Sequence, residues 1–228
     1  HWWTSYRANG SAFELETLMI LSLDLEYLSQ MIKRQFKTES ELDIEFEKYY
    51  KKLFLPPLRS GEGGAKKRYA GLLHTKKGEE LSFAGMEVVR SDWTKMAKIF
   101  QTELFRRLFH GEDIEDFIRQ FSNELKEGKF NDKLVYKKRL TKDISEYTKS
   151  VPPHVKAAKI LDPDGTKNLR DIEYIITTRG PWPAEQNPTD IDYVHYLEKQ
   201  VKPIADSVLS TMDRSFDNIV IGDQLSLF

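Results

Sequence analysis

The chain has 228 residues, 39% hydrophobic and 31% charged, with a net charge of −1 at pH 7 and no cysteine. Such a composition suits a globular chain with a sizeable core in one large or two small domains. It excludes a disulfide framework and a cysteine-based zinc site, in keeping with a reducing, cytoplasmic setting. No apolar run approaches the roughly 18 residues needed to cross a bilayer, which excludes a membrane-spanning helix.

The near-neutral total conceals an uneven distribution. Residues 1–50 carry 5 basic against 9 acidic groups, and residues 168–228 carry 5 against 10. Between them lie two basic blocks: Arg59 to Lys77 has six basic groups and one acid, and Lys126 to Lys159 has ten against four. A polyanion-binding surface can hide in such a total, although the same charges also serve simply to solvate exposed faces.

The chain opens on His1-Trp2-Trp3 with no initiator Met and no secretory pattern, which suggests that position 1 is an internal point of a longer protein. From Leu18 to Ile32, apolar residues at spacings of three and four predict an amphipathic helix. Leu42, Ile44 and Phe46 alternate with Asp43, Glu45 and Glu47, the periodicity of a strand. The three acids share one face, but acids on the solvent face of a strand are commonplace, and a metal site is not expected there. Pro56-Pro57 ends the run, and Ser60 to Gly64 reads as a flexible loop.

Lys66 to Leu73 and Glu80 to Phe83 read as a hairpin turning around Thr75 to Gly78. Ser91 is a candidate cap for a helix carrying Trp93, Met96, Ala97, Phe100, Leu104 and Leu108 on one face. A second helix after Gly111 presents Ile114, Phe117, Ile118, Phe121 and Leu125. Asn131 to Arg170, punctuated by Pro152-Pro153 and Asp162 to Gly165, is expected to be irregular. A short β-rich run covers Ile172 to Thr178. Thr189 is then placed as the cap of a long helix through Val194, Leu197, Val201, Ile204, Val208 and Met212, bent at Pro203.

On a strand, Lys67, Tyr69 and Gly71 would share one face and Arg68, Ala70 and Leu72 the other. A cation beside a phenol can hold a duplex through phosphates or minor-groove acceptors without reading its sequence. The same pattern fits an edge strand whose lysines oppose aggregation, so spacing alone leaves both readings open. His74, His110, His154 and His195 lack metal-ligand spacing. Gly61 to Gly64 lacks the ending of a phosphate-binding loop, and no nucleophile-base pair stands out, so neither catalytic nor metal-ligating residues are expected.

Lys66-Lys67-Arg68-Tyr69-Ala70-Gly71 after a Gly-rich loop resembles the Lys-x-Tyr motif of family B DNA polymerases, where the palm grips the primer-template behind the active site. Gly85 to Trp93 is similar to the family's palm-to-thumb transition. Leu134 to Leu140 and Val151 to Ala158 resemble its thumb segments, and Asp192 to Leu197 the start of its late helix. Several co-linear segments from about Glu39 onward are more specific than any one, and they point to the bacterial DNA polymerase II branch of the family. Arg7 to Met31 departs from the pattern.

The resemblance implies that Lys66, Lys67, Arg68 and Tyr69 contact DNA from the palm. It implies the same of Lys137, Lys138, Arg139, His154 and Lys156 from the thumb. The terminal Gln224-Leu225-Ser226-Leu227-Phe228 resembles the bacterial sliding-clamp-binding motif. In that motif the glutamine, Gln224, fixes register while Leu225, Leu227 and Phe228 fill an apolar pocket.

The family's catalytic aspartates, carried in a Tyr-x-Asp-Thr-Asp segment, are not in this sequence. His1-Trp2-Trp3 resembles the stretch immediately carboxy-terminal to that segment. The expected fold class is α+β, an antiparallel palm-strand remnant followed by a mostly helical thumb. The expected domains are palm with an N-terminal helical segment at 1–90, thumb at 91–218 and a clamp-binding tail at 219–228.

The resemblance implies a DNA-directed DNA polymerase that uses magnesium when intact, with this chain inactive alone. Its implied partners are primer-template DNA, the sliding clamp and the fingers, catalytic palm and exonuclease of the same polymerase. The alternative is an autonomous clamp-interacting module without DNA binding.

Overall fold

The computed structural model describes residues 27–38, 48, 50–58, 61–64, 67–75, 77–148, 151–167 and 169–220. Its contacts group the chain into two compact units, residues 1–52 with 73–80 and residues 53–72 with 81–228.

In the first unit the described part of the expected early helix is helical over 27–36 (α1), with Tyr27, Leu28, Met31 and Phe36 exposed. The Leu42 to Phe46 strand falls outside the described residues. The hairpin turn is built as its sequence requires. Thr75 Oγ1 donates to the Gly78 carbonyl at 2.9 Å and accepts from the Lys77 amide at 3.2 Å. Gly78 supplies a φ of 119°, a value that a side chain disfavours. The turn joins β4 (Tyr69–Thr75) to β5 (Gly78–Ala84), and with β1 (Tyr50–Phe54) these strands hydrogen-bond in the order β1-β4-β5.

The Gly-rich stretch read as a loop instead forms a short ribbon. β2 (Pro57–Leu58) pairs antiparallel with β3 (Gly61–Gly64), with Pro57 opposite Gly64. Glycines weaken a strand but do not forbid one, and this ribbon is closed by a very short connection.

The second unit holds the core. Helices α2 (Lys95–His110) and α3 (Ile114–Lys126) bury the stripes their spacing predicts: Met96, Ala97, Phe100, Leu104 and Leu108 on one, Ile114, Phe117, Ile118, Phe121 and Leu125 on the other. Phe100 stacks on Phe117 with ring centroids 5.6 Å apart and meets Phe121 at 4.9 Å. Gly111 ends α2 in the left-handed region at φ 72°, and the Asp113 carboxylate accepts from the amides of Glu115 and Asp116 to start α3. The cap of α2 is Thr94, not Ser91; its hydroxyl accepts from the Ala97 amide.

Asn131 to Arg170 is more regular than expected. It contains β6 (Tyr136–Arg139) and α4 (Pro153–Leu161). Pro153 stands in the first turn of α4, where its missing N–H has no intrahelical acceptor to serve, so the proline pair starts a helix here. β6 pairs antiparallel with β7 (Asp171–Thr177), which pairs with β8 (Gly180–Pro183); Tyr136 lies opposite Tyr174 and Ile175 opposite Trp182. Pro181 and Pro183 are tolerated because β8 is an edge strand.

The late helix starts at Asp192, whose carboxylate accepts from the His195 amide at 3.0 Å, and Thr189 does not cap it. It runs as α5 (Tyr193–Tyr196), a π turn (Leu197–Val201) and α6 (Lys202–Leu209), before a short α7 (Phe216–Val220). A bend is expected at Pro203; the structure places a π turn just before it, with Pro203 in the first turn of α6. A proline at 203 cannot donate back to the preceding turn and crowds its carbonyl, and the wider turn relieves both constraints.

Two three-stranded antiparallel sheets with helices packed beside them make the chain α+β. Phe100 is wholly buried against the rings of Phe117 and Phe121, so F100A should leave a cavity that rigid rings cannot fill. A loss of about 3–5 kcal/mol in unfolding free energy is expected, read as a lower urea midpoint at unchanged slope.

Candidate nucleic-acid interface

Strand β4 begins at Tyr69, later than the sequence pattern suggested. Lys67 lies in the turn before it at φ 65°, with its side chain exposed, and Lys66 lies outside the described residues. The cause lies across from it, at Gly85. A Cβ built on Gly85, itself at φ 58°, would sit 2.3 Å from the Lys67 carbonyl oxygen and 3.1 Å from Arg68 Cγ. The Lys67 carbonyl therefore fills space that any side chain at 85 would need.

From Tyr69 the expected alternation holds only in part: Ala70 and Leu72 are buried and Tyr69 is half-buried, but Gly71, expected on the Tyr69 face, is buried as well. Arg68 turns toward the core side. Its Nη2 donates to Glu87 Oε1 at 2.5 Å, Gln101 Nε2 donates to Glu87 Oε2 at 2.8 Å, and the Val88 amide donates to Gln101 Oε1 at 2.6 Å. Glu87 and Gln101 are both buried. Of the motif's described cations, Arg68 is thus engaged by the protein while Lys67 projects outward.

The second group lies on β6 and α4. Lys137, Lys138 and Arg139 are all exposed on an edge strand. Lys137 Nζ lies 3.2 Å from Glu173 Oε1 on β7, and Arg139 stands opposite Asp171 in the register. Lys138 projects from the other face of the strand, and its charge reaches two neighbours. Burial, with a further contribution from Lys138, holds the His154 imidazole on α4 below its ordinary value. The Asp92 carboxyl is held low chiefly by hydrogen bonds from Arg90, at 3.0 and 2.8 Å, and also by Lys138. Lys138 thus acts on groups from two other segments, Asp92 and His154. Lys156 is exposed on the first turns of α4. Gln224, Leu225, Leu227 and Phe228 lie outside the described residues.

Beneath β6 lie two polar pairs. Thr94 Oγ1 donates to Gln200 Oε1 on the π turn, and the Tyr136 hydroxyl lies 2.9 Å from His195 Nε2. His195 is held below its ordinary value by burial, with Lys199 acting in the same sense and Asp192 opposing. Burial pushes the Tyr136 hydroxyl well above its usual range. Tyr136 also stacks on Tyr174 at 5.2 Å and Tyr196 at 5.7 Å, fixing the root of the strand that carries the three cations.

Sequence reasoning missed these supports. Gln101 was visible as a polar residue on the apolar stripe of α2, a signal for a buried hydrogen-bonding group. Glu87 was visible within the apolar Met86 to Val89, and His195 and Gln200 carried no such sign.

Among the described residues no three His, Asp or Glu side chains converge as a metal site. Among them no donor set fits magnesium. Among the same residues no helix is long and apolar enough to cross a membrane.

Known proteins match along most of this framework. The model of DNA polymerase family B matches residues 23–211. The chain belongs to that family. It is 38% identical over 197 residues to DNA polymerase II of Escherichia coli K12, covering 83% of this chain and 25% of that protein. Identity to DNA polymerase 2 of Aeropyrum pernix is 31% over 199 residues, 82% of this chain and 23% of that protein. A DNA polymerase of Methanocaldococcus jannaschii is 33% identical over 180 residues, 73% of this chain and 10% of that protein. The chain spans about a quarter or less of the length of these relatives, and within the family it is of the DNA polymerase II type.

His154 and His195 are both held below their ordinary values, so below about pH 6.5 the unfolded polymerase chain binds more protons than the folded one. Stability is therefore full above that pH and is lost as pH falls toward the lower folded-state values. H195N should flatten the decline of the thermal midpoint between pH 7 and 5. An unchanged slope would show that His195 does not titrate on unfolding.

Proposed function

We propose that this chain is the duplex-holding part of a DNA-directed DNA polymerase. In this reading it grips primer-template DNA along its phosphates, from a palm portion at 1–90 and a thumb at 91–218. A tail at 219–228 tethers it to a sliding clamp. The fingers, exonuclease and the palm segment carrying the catalytic aspartates and their magnesium belong to the rest of the polymerase.

The observation that carries the reading is the edge strand β6, which exposes Lys137, Lys138 and Arg139 in succession, with the Lys138 charge felt at His154 on α4. Edge strands often carry lysine to resist pairing, but three successive exposed cations, with Lys156 exposed on α4, exceed what that role needs. Lys67 and Tyr69 add a contact of the same chemistry from the first sheet. All of these groups suit phosphate, which positions a duplex without reading its sequence. Arg68, bound to Glu87, contributes through the fold before it contributes a charge to DNA. The clamp tether rests on Gln224, Leu225, Leu227 and Phe228, a short motif whose modest affinity is multiplied once a ring holds it near DNA.

Fluorescence anisotropy with a labelled primer-template tests the grip. Affinity should fall with salt at a logarithmic slope of about −0.9 for each phosphate neutralised, and K138A should weaken binding and flatten that slope by about one. Salt-insensitive binding, or none, rejects it. Template-directed incorporation by the chain alone would contradict the assignment of catalysis to the rest of the polymerase. Clamp capture in a pull-down should disappear on deletion of residues 224–228; capture that survives the deletion removes the tether. Capture without any DNA binding would favour a clamp-interacting module.

A further inference from the structure

We infer that Gly85, Glu87 and Gln101 are positioning residues for the Lys67 and Tyr69 contact with duplex DNA, acting through a carbonyl socket and a buried hydrogen-bond circuit. The inference rests on the duplex-holding reading above.

The socket is Gly85. The Lys67 carbonyl enters the volume a Cβ there would occupy, and Lys67 itself is held at φ 65°, a conformation an L-residue adopts only when its surroundings impose it. One residue on, Arg68 is drawn to the core side by Glu87. These two restraints act on consecutive residues, and together they fix the plane of the peptide leading into Tyr69. The Lys67 side chain is exposed, while Arg68 and Tyr69 are each half-buried, Arg68 against Glu87.

The circuit reaches further than the hairpin. Glu87 uses both carboxylate oxygens, one for Arg68 and one for the Gln101 amide, and Gln101 returns its carbonyl to the Val88 amide. Gln101 is wholly buried on α2. The backbone setting of Lys67 is therefore referred to a long helix, through side chains that themselves stay away from solvent. A group required only for packing on the α2 stripe would be apolar; a glutamine there supplies a donor group and an acceptor group, and each makes a bond.

The order of donors and acceptors makes the circuit testable by swapping it. E87Q sets an amide NH2 against the Gln101 NH2, and Q101E sets two carboxylates together. In the double variant E87Q/Q101E the amide introduced at 87 donates to the carboxylate introduced at 101. The amide oxygen at 87 still accepts from Arg68, and the second oxygen at 101 still accepts from the Val88 amide. Primer-template affinity of the full 228-residue chain is measured by anisotropy, at a temperature where near-ultraviolet circular dichroism shows each variant folded.

Each single variant should bind about tenfold more weakly, the double variant should recover to within about threefold, and none should matter in a K67A/Y69F background. G85A is the second route should a single variant not fold. It leaves the circuit's groups in place, fills the socket and should weaken binding similarly. Folded single variants with wild-type affinity overturn the inference, as does an equal loss in the K67A/Y69F background. If K67A/Y69F itself binds as tightly as the wild type, the grip at Lys67 and Tyr69 falls, and the inference with it. If K67A/Y69F is weak while E87Q and G85A are normal, only the positioning role fails.

Discussion

A carboxylate buried at Glu87 cannot be left without partners, and the start of β4 and α2 each supply one. Taking such a charge out of water is unfavourable by several kcal/mol unless an opposite charge and further hydrogen bonds meet it. Arg68 brings the charge from the strand motif and Gln101 the second hydrogen bond from α2. Because the pair is only useful when both elements are in place, the start of β4 and the first half of α2 are fixed together. Met86, on the residue before, is wholly buried and packs the same junction with apolar contact. Gly85 gives that junction its close approach. Polar satisfaction and sterics thus act on the same few residues.

A second set of polar contacts does for β6 what Glu87 does for β4. Thr94 both caps α2 and donates to Gln200, so the helix start and the π turn share one hydroxyl. Gln200 stands on the π turn ahead of Pro203, buried with Thr94 as its partner. Tyr136 is held by His195 and by its stack on Tyr174 and Tyr196. A strand as short and charged as Tyr136–Arg139 has little apolar surface of its own to hold it. Its anchorage comes from one aromatic residue, with β7 supplying the backbone partners.

What could be read in the sequence depends on where the physical signal lies. α2, α3 and the β4-β5 hairpin were legible because burial imposes periodicity and a turn demands particular residues. β6 was not, since three of its four side chains are cations and its partner strand lies far along the chain. α4 was hidden because Pro152-Pro153 has the look of a break, while Pro153 in fact suits a first turn. Both misplaced caps, Ser91 for Thr94 and Thr189 for Asp192, erred by choosing the earlier of two capping-competent residues. In each case the choice is made by contacts invisible locally: Thr94 is tied to Gln200, and Asp192 donates its own amide to the Ile176 carbonyl. For the candidate interface, the family resemblance supplied the segments and the structure supplied their supports.

The same distinction changes what a count of charges means. The basic stripe from Lys126 to Lys159 holds ten cations in the sequence, but several are already committed within the fold. Lys129 pairs with Glu124 and Glu127, Lys133 with Asp132 and Lys137 with Glu173, while Lys159 donates to the Tyr147 carbonyl. Exposed pairs of this kind are worth little and exchange readily, so they can give up their cations to a phosphate, but each transfer leaves an acid behind. Lys138, Arg139 and Lys156 carry no such commitment among the described residues. The electrostatic footprint is therefore set less by how many lysines the stripe contains than by which acids stand next to them. Among the described residues the cations without an ion pair in this stripe include Lys138 and Arg139 on β6 and Lys156 on α4, and β6 is held in place by Tyr136 and its pairing with β7.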